Sequence, residues 1–270
     1  MRTLLLLGIA GATTSCTLTM AEPHVLVSPY LAVHQLRGDA AMQSAPTPGT
    51  VQDNARETLR TFGQDHYRED FGIRVDIGDG FGGFRADYYQ LDQDTTRNGV
   101  LAGDFGRLLA GDAVQMKAEM DEIRIGYVEP IVNWKASVRE RPVVFQLGIG
   151  AVVAHRNATL RGRTTDGVRQ QRIDMDGDTV YPAARARVSW RDFAIDAEYA
   201  ISPDLSLGGD FEGTLQDLEL RLSYSMPMRD VSFFAGWRYS ELPAEGNNDG
   251  FRYDADLILD GFVIGASLTF

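Results

Sequence analysis

Charged side chains recur at alternate positions along several short stretches of this chain: Arg74 and Asp76; Arg85 and Asp87; Glu122 and Arg124; Arg185 and Arg187; Asp196 and Glu198; Asp217, Glu219 and Arg221; and Arg238. Lining an enclosed space, guanidinium and carboxylate groups set the selectivity of a conduit, or they pair with one another and fill it. A second constellation suits acid–base work. Asp92 and Asp94, in LDQD, are paired carboxylates; His66, upstream in Asp65-His66, is a further candidate whose spacing does not suit a partner to them. Solvated acidic loops explain these residues equally well. A third is DMDGD, where Asp174, Asp176 and Asp178 alternate around a glycine. It could hold a weak calcium ion, but the downstream bidentate glutamate of a calcium loop is absent, and a solvated loop is the plainer reading. No Gly-rich phosphate loop, zinc pattern or serine triad occurs, and no cofactor or metal is expected.

Alternation is also the clue to what positions these residues. A period of two means an extended strand whose faces meet different surroundings. Ten such stretches can be read: His24–Leu36, Glu69–Ile77, Phe84–Leu91, Met116–Val128, Pro142–Arg156, two segments around Arg191-Asp192, two around Pro227–Asp230, and Gly261–Phe270. A two-residue loop at Arg191-Asp192 pairs Trp190 with Phe193. The same register sets Arg187 opposite Asp196 and Arg185 opposite Glu198. Closing the turn at Pro227–Asp230 sets Glu219 opposite Arg238, and a Gly78–Gly83 loop sets Arg74 against Asp87 and Asp76 against Arg85. The first half of Met116–Val128 breaks the pattern, because Lys117, Glu119 and Asp121 share parity with Ile123, Ile125 and Tyr127. That predicts a bulge, or a segment projecting above a bilayer. Long polar loops are expected over Gly38–Tyr67, Asp92–Val114, Asn157–Thr179, from Ser202, and over Glu241–Asp256, with a medium connection at Glu129–Arg141.

The polarity of these strands is unusual for a soluble protein. One face carries Arg, Asp and Glu, and the other carries no charge over about nine residues, the span a tilted strand needs to cross a bilayer. A charge at the bilayer midplane costs roughly 2–4 kcal/mol, and an isolated charge in a dry core costs comparably or more. Both limits are met if the apolar face meets lipid and the charged face meets a polar lumen. Aromatics such as Trp190, Phe193, Tyr224 and Phe270 near one rim, and Tyr199, Trp237, Tyr239 and Phe262 near the other, fit two interfacial girdles. The expectation is therefore an all-β domain over residues 22–270: a transmembrane antiparallel up-and-down barrel of ten strands, eight or twelve being the alternatives, with a polar charged lumen. A soluble lipocalin-like barrel or sandwich is the competing reading. No run of about 18 apolar residues follows the N-terminus, so no membrane-spanning helix is expected.

Residues Met1–Ala21 read as a signal peptide: Arg2, then the apolar Leu4–Ala12, then a small-residue cleavage site at Thr19-Met20-Ala21. Lipidation at Cys16 fits less well, because Thr13 stands where an aliphatic residue is preferred. Cleavage after Ala21 would remove the single cysteine, leaving no disulfide or thiol chemistry. The formal net charge of −12 argues against a nucleic-acid partner.

In the closing GFVIGASLTF, Phe262, Ile264, Ala266, Leu268 and Phe270 alternate with small or polar residues. This ending resembles the last strand of Gram-negative outer-membrane β-barrels. The resemblance implies an outer-membrane location, Phe270 as the signal read by the barrel-assembly machinery, contacts with outer-membrane lipid and lipopolysaccharide, and a monomer. LDQD resembles the ten-stranded outer-membrane proteases of the omptin family in strand count and one D-x-D; the D-x-H partner is missing. His155-Arg156-Asn157-Ala158 resembles the rim motif of outer-membrane lipid A deacylases, without the nucleophilic serine. A ten-stranded barrel has little interior once its side chains are placed. The expected role is therefore non-enzymatic: structural, surface-binding or narrow-conduit, with the lumen closed by Arg–Asp/Glu pairs. An outer-rim protease or lipid A hydrolase, and a small-solute channel, are the alternatives.

Overall fold

The computed structural model describes residues 24–44, 52–64, 66–95, 97–138, 140–203, 206–227 and 229–270. The signal-peptide reading of residues 1–21 and the question of Cys16 lie outside them. Ten long strands follow in order: β1 (His24–Met42), β2 (Arg68–Gly78), β3 (Gly83–Asp94), β4 (Ala113–Val138), β5 (Arg141–Thr164), β6 (Gln170–Trp190), β7 (Phe193–Pro203), β8 (Thr214–Ser225), β9 (Val231–Asn248) and β10 (Phe251–Thr269). Each pairs antiparallel with the next, β1 pairs with β10, and so the ring closes. Over the span that all ten strands share, closure leaves no free strand edge, a condition that a lipid-facing sheet must meet.

The apolar faces point outward. Leu222, Ile195 and Ile264 are 51%, 57% and 58% exposed, while Arg74, Asp87, Glu122, Arg185, Asp196, Asp217 and Arg238 are buried inside. One row of register partners, Val188, Ile195, Leu222, Ala235, Ile264, Leu31 and Phe71, runs through seven neighbouring strands with no charge in it. The Trp190, Phe193, Tyr224 and Phe233 row lines up the same way at the short-turn rim. The expected hairpin registers hold: Trp190 opposite Phe193, Arg187 opposite Asp196, Arg185 opposite Glu198, Arg74 opposite Asp87, Asp76 opposite Arg85 and Glu219 opposite Arg238.

Strand lengths correct the sequence reading. Two of the segments expected as long loops are mainly strand: Asn157–Thr179 is the top of the β5–β6 hairpin, and Glu241–Asp256 is the top of β9–β10. The connection expected at Glu129–Arg141 is mostly strand as well, and β4 and β5 pair from Val132 to Val138. No bulge interrupts Lys117, Glu119 and Asp121; the irregularity in β4 falls between Pro130 and Val132. A strand needs only about 9–11 residues to span a bilayer, so β4, β5 and β6 continue well past it at the end away from the short turns.

In that tall end the polarity inverts. Outward positions become Asp94, Lys117, Arg161 and Arg172, a single cross-strand row. Inward positions become Met116, Met120, Leu160, Ile173, Met175, Leu257 and Leu259, all buried. Water outside and oil inside is the ordinary soluble arrangement, which explains the parity switch along β4. The inter-strand segments complete this core. A 3-10 turn at Leu59–Phe62 and the loop bearing Leu101, Phe105 and Leu108 fold between the walls, with the Phe62 and Phe105 rings edge to face at 5.1 Å.

Candidate functional site

The ladder residues converge in the lumen as a stack of linked clusters. Nearest the short turns, Arg187 donates to Asp196 at 2.6 Å, and Arg85 bridges Asp76 (2.6 Å) and Glu198 (2.7 Å). Arg185 also holds Glu198, at 2.7 Å. The turn between β2 and β3 folds inward to join them. Asp79 accepts from the backbone amides of Phe81 and Gly82, Phe81 is buried, its carbonyl accepts from Arg185 at 2.8 Å, and the Arg187 guanidinium lies 5.6 Å from its ring centroid.

One layer up, both terminal nitrogens of Arg74 grip Glu219 at 2.7 and 2.6 Å, and one also reaches Asp87 at 3.1 Å. Tyr30 donates to Asp87 at 2.9 Å. Its ring lies across Gly72, where any Cβ would collide with it. Register alone set Glu219 beside Arg238. The side chains choose otherwise: Glu219 takes both terminal nitrogens of Arg74, and Arg238 turns to Glu122.

Above that, Glu122 accepts from Arg156 at 2.5 Å and from Arg238. Asp217 accepts from Ser240 at 2.9 Å and lies 3.3 Å from Arg124. Arg156 also donates to Thr179 at 2.9 Å, and its guanidinium stands 5.2 Å from the Tyr181 ring centroid. Arg156 is a ladder member that the sequence reading left out, although its even numbering on β5, shared with Gln146, Gly148 and Gly150, carried the signal. His34, Tyr89 and Gln93, also buried and inward, were missed too: His34 Nδ1 and the Tyr89 hydroxyl are 2.7 Å apart, and Gln93 donates to the His34 carbonyl at 3.1 Å.

Little space remains. The cavity among Arg74, Arg85, Asp87, Arg124, Arg185 and Glu219 has a volume of about 10 Å³, at the threshold for a single water. Below it, a polar cup of about 330 Å³ opens at the short-turn end. Above it stand the His34–Tyr89 pair and then the apolar core of the tall end.

The remaining candidates are placed apart from the lumen. Asp92 and Asp94 are exposed on the outer face of β3, with the Lys117 amine 3.2 Å from Asp92. His66 sits in the segment leading into β2, partly exposed. Asp174, Asp176 and Asp178 lie along the outside of β6 rather than in a loop. Side chains two apart on a strand stand roughly 6–7 Å from each other, against calcium–oxygen distances of roughly 2.3–2.6 Å. Two of the carboxylates have other partners: Arg172 holds Asp174 at 2.6 Å and His155 holds Asp178 at 2.9 Å. Among the described residues no group of three or more His, Cys, Asp or Glu side chains is placed to hold a metal. His155 and Asp178 form an exposed dyad on the outer wall, and position 157 beside it is asparagine, not a nucleophile. Phe270 is exposed, and its backbone pairs with Val25 on the first strand.

No family model and no curated protein matches this sequence. Solved structures do resemble it in shape. The outer membrane protease OmpT from Escherichia coli, 10% identical, aligns over 94% of this chain and 99% of its own with a TM-score of 0.55. Neisserial surface protein A, 11% identical, covers 93% of this chain and 98% of its own at a TM-score of 0.32, and the Pseudomonas putida toluene transporter TodX, 10% identical, covers 90% and 89% at 0.29. The match to OmpT establishes a shared fold, an antiparallel outer-membrane-type barrel.

Proposed function

We propose that this chain, which has the fold of outer-membrane β-barrels, sits in the outer membrane of a Gram-negative bacterium as a sealed barrel with a structural or surface-binding role. The observation that carries this reading is the lumen itself. Ion pairs with about 10 Å³ between them, the inturned Phe81 turn and the apolar core of the tall end block the axis in succession. A hydrated ion needs a continuous water-filled path, and a lining of paired charges offers it no free ligand.

In this reading the chain ends and short turns face the periplasm, and the tall end faces outward. Outer-membrane lipid and lipopolysaccharide surround the wall, the barrel-assembly machinery reads Phe270 during insertion, and the barrel works as a monomer. Planar-bilayer recording of the purified barrel tests it. The expected trace is flat, in the Arg185→Ala variant also. Stable ohmic steps would move the reading to a narrow conduit.

One observation favours a second reading, a protease of the outer rim: the shared fold with OmpT. Against it stand the outward direction of Asp92 and Asp94, the Lys117 amine beside Asp92, and the filling of the space between the tall walls by Phe62 and Phe105. Peptide hydrolysis by the folded barrel that is abolished in D92A/D94A would establish it.

A further inference from the structure

We propose that the cup at the short-turn end of the lumen is a binding site for a small oxyanion, a phosphate or carboxylate group, reached from the periplasm. The word periplasm rests on the orientation given above; the cup and its chemistry do not.

The cup has a volume of about 330 Å³, at the lower edge of the range of small-molecule sites. Four arginines line it, Arg85, Arg187, Arg191 and Arg221, against two carboxylates, Asp76 and Asp192. Two of these arginines are hydrogen-bonded to carboxylates. Arg85 is bound to Asp76 and Glu198 at 2.6 and 2.7 Å, and Arg187 to Asp196 at 2.6 Å. Arg191 lies over the Trp190 ring.

Arg221 is held less closely. Its side chain is 10% exposed and lies over the Phe234 ring at 5.4 Å; Arg187 takes one Asp196 oxygen, and the other, Oδ2, stands 3.6 Å from Arg221, an ion pair longer than a hydrogen bond. Glu219, two residues away on β8, is held by both terminal nitrogens of Arg74. The Arg221 Nε has no hydrogen-bond partner among the described residues. A guanidinium cannot shed its proton, so this nearly buried Nε–H is open to an anion or water.

The wall of the cup supplies further donors. Ser223 and Ser225 follow Arg221 on its own inward face of β8, and Ser232 on β9 is the register partner of Ser225. Guanidinium N–H groups with neighbouring hydroxyls form a set suited to a phosphate or carboxylate. A cation would meet the four arginines, and an apolar solute would leave the hydroxyls unpaired.

The barrel, folded in detergent micelles and checked by heat-modifiable gel mobility, would be titrated at low salt by calorimetry with inorganic phosphate and, separately, with succinate. Saturable binding at one site is expected for at least one of them, and the better ligand identifies the oxyanion class. Arg221→Gln should weaken it about tenfold, the worth of one charge-assisted hydrogen bond. Because that change touches the ion network, S223A/S232A serves as a second variant outside it, expected to weaken binding severalfold with unchanged gel mobility. No saturable binding of either anion to the folded wild-type barrel overturns the proposal, as does binding that both variants leave unaltered. A barrel that binds neither anion yet passes no current overturns this site alone, whereas one that binds phosphate and conducts overturns only the sealed reading.

Discussion

Arg156 Nε lies 2.5 Å from Glu122 Oε2, between register partners on β5 and β4 whose side chains are 0% and 2% exposed. Arg238 reaches the other Glu122 oxygen from β9, across the lumen. Glu122 thus ties two walls together through one carboxylate. Removing it leaves two guanidiniums without that acceptor. Breaking one buried pair costs on the order of 3–5 kcal/mol in a dry site, and water entering the lumen lowers that. Glu122→Ala should lose heat-resistant gel mobility at a lower temperature than wild type, and the lumen variant Ser240→Ala should lose far less. Equal behaviour of the two would show that the network contributes little.

The tall end behaves as a small soluble core set on a membrane barrel. Phe105→Ala removes the ring packed on Phe62 and should cost about 3–5 kcal/mol locally. Limited proteolysis should then cut within residues 52–64 or 97–112 from the outer face, while the membrane strands stay protected. Cuts spread evenly along the chain would mean that the two ends unfold as one unit.

Asp210 closes the seam between β6 and β9, where neither strand has a long partner. Its amide donates to the Asp176 carbonyl at 2.7 Å, its carbonyl accepts from the Glu245 amide at 2.8 Å, and its carboxylate accepts from the Asp176 amide at 3.1 Å. Asp210→Ala leaves the Asp176 amide without its acceptor, at about 1–3 kcal/mol if no water replaces it. Hydrogen exchange at Asp176 and Glu245 should accelerate with no change at Leu220 or Ile264.

Alkaline pH should loosen the same region. Burial, then the neighbouring Asp210 carboxylate, raises the Tyr253 phenol above its usual range. A folded pKa above the unfolded value means that this contribution to stability is full below roughly pH 10 and is lost as the pH climbs beyond it. Tall-end amides of the wild-type barrel should exchange faster than simple base catalysis accounts for at high pH. Tyr253→Phe should remove that excess; a variant with an unchanged pH profile would place the sensitivity elsewhere.

Within the bilayer span, residue parity in the sequence was enough to read both faces and the hairpin registers, since Trp190 opposite Phe193 forces Arg187 opposite Asp196. Parity lost its meaning where the outside changes from lipid to water. Lys117, Glu119 and Asp121 looked like a defect only because one rule was carried past the membrane edge, and the tops of β5, β6, β9 and β10 looked like loops for the same reason. Cross-lumen partners were not legible, because Glu219 meeting Arg74 depends on barrel closure and arm length, which no single hairpin encodes. The inturned Phe81 and the long Arg221–Asp196 pair likewise follow from packing in three dimensions.

The direction of the two faces is what everything else depends on, and β6–β9 offer the cleanest test. Single nitroxide labels would be placed at Ile195, Leu220 and Leu222 on one face and at Ser189, Ser223 and Ser232 on the other, with the barrel in lipid vesicles. A lipid-soluble relaxation agent should reach the first three and a water-soluble one the second three. Lipid contact at the serines with water contact at Leu220 and Leu222 would contradict the account.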